Sequence, residues 1–419
     1  MTISIIGHGY VGLVSAAVFA DFGHIVYCVG RTPEKIEKLK KGEILFYEPG
    51  LAELVKKNVL AHRLKFTLSY SEAIPASDIV LICVGTPSSD TGEADLTQVM
   101  VAAAEIGKNL ANYTVVVCKS TVPVGTNRQV AKVLEKNKKG VTPFDIASCP
   151  EFLREGTALH DTLHPDRIII GAETEKAKKL LLELHKSIDG EFVITDIATA
   201  EMIKYAANSF LATKISFSNA ISFLCDKCGA DVLDVMKGIG LDSRIGQQFL
   251  SPGVGYGGSC FPKDVKALIS ISEQYGYDFS LLKAVEEINK EAWQNYVNKV
   301  KNFFGTKIKK AKLAVLGLAF KPDTDDMREA PSLKIINELL KAGAAITAYD
   351  PVAMPNAKLI IADKIKYASN PYEACQDADA LLLITEWNEF KDLDLLKIKK
   401  LLRRPVIFDG RHIWHKEKM

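Results

Sequence analysis

The chain has 419 residues, is 47% apolar and 25% charged, and balances 53 basic against 51 acidic side chains for a formal charge of +2. That length exceeds one ordinary domain and supplies two or three cores, while the near-neutral balance offers no field for nucleic acid or a membrane surface, so neither is expected as a partner. Eight scattered cysteines, a start at "MTISIIGHGYVGLV" without a basic leader, and no run of ~20 apolar residues argue against a disulfide scaffold and a bilayer span, and the expectation is a cytoplasmic protein.

In chain order, "TISIIGHGYVGLVSAAVFADFGHIVYCV" reads as a buried β-branched strand, a glycine turn, a small-residue helix and a second strand, the opening of a parallel βαβ unit. Further apolar runs follow at "DIVLICVG" (78–85), "TVVVCKST" (114–121) and "RIIIGA" (167–172), separated by helical segments. From residue 198 the texture becomes helical over "ATAEMIKYAANSFLATKISFSNAISFLCDKCG", with Gly229 as its stop, and it resumes between Asp264 and Phe304 after a glycine-rich interruption. The basic link "GTKIKKAK" leads to four more strand-like runs, "LAVLGLAF", "AAITAYDP", "ALLLIT" and "PVIFDGR". The expected fold is α/β: two Rossmann-like, doubly wound parallel-sheet domains, residues 1–197 and 312–419, joined by a helical central domain, residues 198–304.

Gly7, Gly9 and Gly12 form G-H-G-Y-V-G between a strand and a helix, where glycines permit a tight turn and let helix N–H groups meet a pyrophosphate. About 20 residues further, an acidic side chain ordinarily accepts hydrogen bonds from the adenosine ribose. Gly30 stands at that place, followed by Arg31. The glycine removes both the acceptor and the repulsion of a 2′-phosphate, and Arg31 can meet one, which reads as tolerance of NADP beside NAD. The other reading has Arg31 on the adenine or in solvent, with Thr32 or a backbone group holding the ribose.

Three segments carry chemistry-bearing clusters. "GVGYGGSCFPKD" sets Cys260 behind a glycine loop with Lys263 and Asp264 just after it; "EMIKYAANSF" puts Lys204 and Asn208 on one helical face; "CPEFLREGTA" would do the same for Glu151 and Glu155 if helical. A cysteine among glycines, near cations and at a helix start, suits covalent chemistry. Each cluster alone reads as ordinary packing or a solvated face, and the dinucleotide turn is what joins them into a site. Cys225-x-x-Cys228 has no second pair and the histidines have no ligand spacing, so no metal is expected.

In this order and over essentially the whole chain, "GHGYVGL", "YEPGL", "VGTPSS", "KSTVPVGT", "PEFLREGTALHD", "HPDRIIIG", "IKYAANSFLATKISFSN", "GVGYGGSCFPKD", "GLAFKPDTDDMREAP" and "DGR" resemble the UDP-glucose/GDP-mannose dehydrogenase family, and the wording "EFLREG" and "HPDRIIIG" resembles its UDP-glucose branch. The resemblance implies a four-electron oxidation of a sugar primary alcohol to a carboxylate, with two nicotinamide cofactors reduced. It implies catalytic roles for Cys260 as nucleophile, Lys204, Asn208 and Asp264 at the reacting oxygen, and Glu151 with Thr121 at the hydrolytic water. It places NAD on Gly7, Gly9, Tyr10, Val11, Gly12, Gly30, Arg31, Lys35, Thr86, Pro87, Thr121, Glu155, Lys263 and Arg328. It places UDP-glucose on Glu151, Phe152, Leu153, Arg154, Glu155, Lys204, Asn208, Arg244, Phe249, Tyr256, Gly257 and Gly258, with Lys321 and Arg411 reaching from a UDP-sugar-binding C-terminal domain. The family's long central helix pairs between subunits, implying a homodimer or higher oligomer. In relatives the second strand ends in an aspartate, so Gly30 departs from the family's pattern. The competing readings are another UDP-sugar dehydrogenase of the same family; a two-electron hydroxyacid-type dehydrogenase, which would need neither Cys260 nor a second α/β lobe; and a nucleotide-binding regulatory protein without activity, against which the set of Cys260, Lys204, Asn208 and Asp264 argues.

Overall fold

The computed structural model describes residues 1–89 and 92–414. They form two compact units, the first of residues up to Ala207 with Lys266–Ile271, and the second of Asn208–Val265 with the described residues from Ser272 onward.

The first unit is built on eight strands: β1 (Thr2–Ile6), β2 (Ile25–Val29), β3 (Leu64–Thr67), β4 (Ile79–Ile82), β5 (Thr114–Cys118), β6 (Phe144–Ser148), β7 (Arg167–Ala172) and β8 (Glu191–Thr195), in spatial order β3-β2-β1-β4-β5-β6-β7-β8. The β-branched runs are central because helices cover both faces of a parallel sheet, so a strand such as β5 is buried at every residue. The helix Tyr10–Asp21 buries a continuous run from Gly12 to Ala20, which its small side chains make possible. One junction departs from the parallel expectation. Strand β7 runs antiparallel to β6, pairing only Ala147 with Ala172 and Ser148 with Gly171. The connection between them carries a loop and the six-residue helix Ala158–Leu163, too short to span the sheet as a crossover, so the strand returns the other way.

The helix Ile197–Cys228 passes from the first unit into the second, and Gly229, at φ +81° with its N–H on Cys225 O at 2.9 Å, ends it as the sequence indicates. The second unit also holds most of the helix Phe261–Gln274, the helix Ser280–Phe304, and an all-parallel sheet of β9 (Lys312–Leu316), β10 (Ala345–Tyr349), β11 (Lys366–Tyr367), β12 (Ala380–Leu383) and β13 (Ile407–Asp409), ordered β11-β10-β9-β12-β13. Its core is the aliphatic layer of β9 and β12 under the helix Pro331–Lys341. No helix among the described residues is long and apolar enough to cross a membrane.

Candidate active site

The glycine turn lies at the carboxyl end of β1, the edge at which doubly wound sheets bind ligands. Gly7 has φ +113° and donates its N–H to Val29 O at 2.9 Å, drawing the turn against the end of β2. A Cβ on Gly7 would lie 2.4 Å from Cys83 O, and one on Gly12 would lie 2.1 Å from Gly7 O, so packing forbids side chains at both. Gly9 has nothing within 4 Å of a Cβ. That open space faces the start of the helix Tyr10–Asp21, where no side chain caps the first N–H groups. An anion there would meet unpaired donors and the positive end of the helix, so the turn fits a dinucleotide pyrophosphate.

Several expected cofactor contacts lie around this edge. Thr86 and Pro87 follow β4, and the Thr86 hydroxyl donates to Thr121 O at 2.9 Å, joining the loops after β4 and β5. Val11 is half-buried, and Arg31 and Lys35 are exposed beside Gly30 beyond β2. Tyr10 uses its hydroxyl internally: it is hydrogen-bonded to Glu48 and lies 2.7 Å from Gly156 N, which donates to it. Glu48, from the "YEPGL" segment, is buried and also accepts from Gly156 N at 2.6 Å and Leu159 N at 3.2 Å. This carboxylate organises the 150s loop, a role that nothing in its own neighbourhood of the sequence signals.

That loop corrects one expectation. Glu151 and Glu155 do not share a helical face, because residues 151–154 are extended coil and 155–156 a turn. Pro150 precedes the segment and Gly156, at φ +84°, interrupts it before the helix at Ala158. Glu151 instead meets Lys204: the Nζ donates to Glu151 O at 2.6 Å and lies 3.3 Å from Oε1, with both side chains under 10% exposed. Oε2 of Glu151 accepts from Leu153 N at 2.6 Å. Phe152 lies under two cations, Arg167 at 3.8 Å and Lys204 at 5.0 Å from the ring centroid. Arg154 is exposed and chelated by Asp161, and Glu155 is half-buried.

In the second unit Cys260 is exposed and immediately precedes the helix Phe261–Gln274, its carbonyl accepting Asp264 N at 2.8 Å. Most other cysteines are buried, and burial pushes thiols such as Cys83 and Cys375 up to about 12, holding them protonated. One turn beyond Cys260, the carboxylate of Asp264 is 1% exposed, accepting Asn208 Nδ2 at 2.6 Å and Lys263 Nζ at 2.5 Å. Asn208 lies four residues after Lys204 on the helix Ile197–Cys228, so one helical face carries a residue of each cluster.

The glycine loop before Cys260 is held from behind. Asn289 pairs with the Tyr256 backbone, at 2.7 Å to its N and 3.2 Å to its O, and the Tyr256 hydroxyl donates to Glu286 at 2.5 Å. Burial, then the Glu286 charge, raises that phenol far above its ordinary range. A Cβ on Gly257 would meet Glu329 O at 2.5 Å, and one on Gly258, at φ +80°, would meet the Phe320 ring at 2.7 Å. Phe249, at φ +63°, places its ring 6.1 Å from that of Phe261. Arg411 is anchored by Ile384 O at 2.7 Å and Glu386 at 3.1 Å, and half-buried Lys321 donates to Pro322 O at 3.4 Å. Arg244 and Arg328 each grip their own aspartate, Asp242 and Asp326, and the Arg328 carbonyl accepts Gly258 N at 2.8 Å.

Residues 1–189, 198–291 and 314–416 match in turn the NAD binding domain, the central domain and the UDP binding domain of the UDP-glucose/GDP-mannose dehydrogenase family. The chain is 51% identical to UDP-glucose 6-dehydrogenase TuaD of Bacillus subtilis, covering 100% of this chain and 90% of that one. It is 46% identical to a UDP-glucose 6-dehydrogenase of Rhizobium meliloti, covering 100% and 97%. A solved UDP-glucose dehydrogenase from Pyrobaculum islandicum superposes with a TM-score of 0.94 at 38% identity, covering 100% of this chain and 95% of that one.

Proposed function

Because the chain belongs to the UDP-glucose/GDP-mannose dehydrogenase family, we propose that it oxidises UDP-glucose to UDP-glucuronate, with Cys260 carrying the sugar as a thioester between the two oxidations. The observation that carries this reading is an exposed thiol at a helix start, one turn from a buried Asn208–Asp264–Lys263 cluster, in a chain that opens with a dinucleotide turn. An aldehyde-forming dehydrogenase that stopped after two electrons would have no use for that thiol.

The turn glycines with Tyr10, Val11, Thr86, Pro87, Thr121 and Glu155, joined by Lys35, Lys263 and Arg328, would hold the nicotinamide dinucleotide, which when bound supplies the hydride acceptor for both oxidations. In the first oxidation the C6 hydroxyl gives its proton to an ordered water held by Lys204 and Asp264. The Cys260 thiolate then adds to the aldehyde carbon, forming the C–S bond, and the carbonyl oxygen becomes an oxyanion. The Lys204 ammonium and the Asn208 amide stabilise that charge, a contribution of about 3 to 4 kcal/mol for one well-placed donor. Loss of the second hydride leaves a thioester. Glu151, with the support the family assigns to Thr121, takes a proton from the water that attacks it, the C–S bond breaks, and the thiolate departs as the carboxylate forms. Covalent attachment keeps the aldehyde from escaping. Phe152, Leu153, Arg154, Phe249 and Tyr256 to Gly258 shape the sugar pocket, while Arg244, Lys321 and Arg411 suit the diphosphate.

The same reading makes the protein at least a homodimer working in the cytoplasm, where its substrate and dinucleotide are found. The helix Ile197–Cys228 leaves Phe210, Phe217 and Leu224 exposed by 65%, 50% and 59% at a seven-residue spacing, a stripe that a second copy of the helix would cover.

The test is product identification with UDP-glucose and a panel of other UDP-sugars. UDP-glucuronate from wild type, and none from Cys260→Ala with fold retained, is expected; normal acid formation by Cys260→Ala overturns the thioester route, and turnover of another UDP-sugar alone overturns the substrate.

A further inference from the structure

A dinucleotide fold normally ends its second strand with a carboxylate that accepts the adenosine ribose 2′-hydroxyl and repels a 2′-phosphate. Here the residue is Gly30, its N–H tied to Thr67 O at 2.9 Å. The missing side chain has not left a vacant slot. A Cβ on Gly30 would lie 2.5 Å from Ile36 Cδ1 and 2.9 Å from His8 Nδ1. Ile36 is a buried core residue and His8 stands between the first two glycines of the turn. An aspartate at this position would have to push aside the end of the Ile36 side chain and the His8 ring.

What surrounds it is basic. Arg31 and Lys35 are exposed on either side of the N-cap of the helix Pro33–Lys40, and neither makes an ion pair or hydrogen bond among the described residues. Arg154, Arg244 and Arg328, by contrast, each hold a carboxylate. Burial, then the charges of Lys35 and Arg31, lowers the pKa of His8, so both cations face a neutral imidazole at pH 7. Thr32 lies between them with a hydroxyl that does not cap the helix. Two cations without counter-ions, a hydroxyl, an imidazole and a helix start thus stand where the ribose of a dinucleotide on the Gly9 turn would end.

We infer that the adenosine end of this site is built to take a 2′-phosphate, so that NADP serves at least as well as NAD, with Arg31 and Lys35 as the specificity-determining cations. The inference rests on the dinucleotide reading of the turn and is separable from the sugar chemistry. Calorimetry without sugar compares adenosine 2′,5′-bisphosphate with 5′-AMP. The bisphosphate is expected to bind about tenfold tighter or more, and Arg31→Ser to remove most of that preference by weakening the bisphosphate far more than 5′-AMP. Equal binding of the two nucleotides by wild type, or equal weakening of both by Arg31→Ser, overturns the inference. Gly30→Asp combined with Ile36→Val, which deletes the nearest clashing methyl, is expected to invert the preference. If that pair fails to fold, the exposed Arg31→Ser variant still decides. In turnover with UDP-glucose, reduction of NAD but not NADP sinks the inference and leaves the proposed reaction standing. Reduction of neither sinks the reaction, and the binding preference then judges the inference by itself.

Discussion

The two sheets begin with the same turn and finish it differently. Gly7 after β1 and Gly317 after β9 both have positive φ, +113° and +93°, and both donate to the last residue of the adjoining strand, Val29 O and Tyr349 O, at 2.9 Å. A Cβ on either would overlap a neighbour at 2.4 Å, Cys83 O in one and Thr385 Cβ in the other. The residue after the second strand then separates them: Gly30 in the first sheet, Asp350 in the second. Asp350 is 1% exposed and accepts Leu318 N at 2.7 Å, Ala319 N at 3.1 Å and Trp387 Nε1 at 3.2 Å on Oδ2, with Val352 N and Ala353 N on Oδ1. The second turn has spent its donors on its own carboxylate. The first has kept them for a ligand, which is why only the first reads as a dinucleotide site.

The comparison breaks most severely at the shared glycines. Gly7→Ala and Gly317→Ala each force a methyl into backbone or Thr385 at positive φ, and each should lose about 3 kcal/mol or more of stability, measured by denaturant unfolding. A loss at one but not the other would show that the turns are not equivalent. Next is Asp350→Ala, which leaves buried N–H donors without an acceptor and should lose about 3 kcal/mol while NAD affinity, measured on the folded protein, stays unchanged. Weakened NAD binding there would mean that the second turn takes part in the dinucleotide site after all. Gly9→Ala puts a methyl into the open space, so dinucleotide affinity should fall about 100-fold with melting temperature nearly constant, because a Cβ there displaces no protein atom.

The smallest contrast concerns acid. In the first unit His185 is buried against Phe19, its Nδ1 donating to Leu181 O at 2.8 Å, and burial lowers its pKa to about 4. The unfolded chain protonates near the ordinary value of ~6.5, so the fold keeps its full stability above that pH and loses it as pH falls toward 4, by about 1 kcal/mol at pH ~5.5. His185→Gln, which can still donate to Leu181, should flatten the fall in melting temperature between neutral and mildly acid pH; an unchanged slope would assign the acid sensitivity elsewhere.

Much of this was legible in the residues. The β-branched runs gave strands because they are buried on both faces, and the turn glycines and Gly229 were readable because each meets a backbone need that few other residues satisfy. The sequence misled where a local pattern competed with its neighbours. Glu151 and Glu155 have helical spacing, yet Pro150 and Gly156 bracket them, and Glu151 turns to Lys204, 53 residues away. The reversal of β7 was hidden because an apolar strand reads the same in either direction. Asp350, at the end of "AITAYD", has the look of a ribose-binding acid, and only the bonds it accepts from residues over 30 positions away reveal that it closes its own turn. Glu48 was opaque for the same reason, since the loop donors it holds, Gly156 N and Leu159 N, lie more than 100 residues along.

In the proposed reaction one chain performs two successive oxidations on a sugar it does not release between them. The direct measurement is the number of dinucleotides reduced per UDP-glucose consumed, followed to completion with NAD and with NADP. Two reduced cofactors per sugar and no free aldehyde captured by a carbonyl trap are expected; a ratio of one, with aldehyde in the trap, would overturn the thioester route.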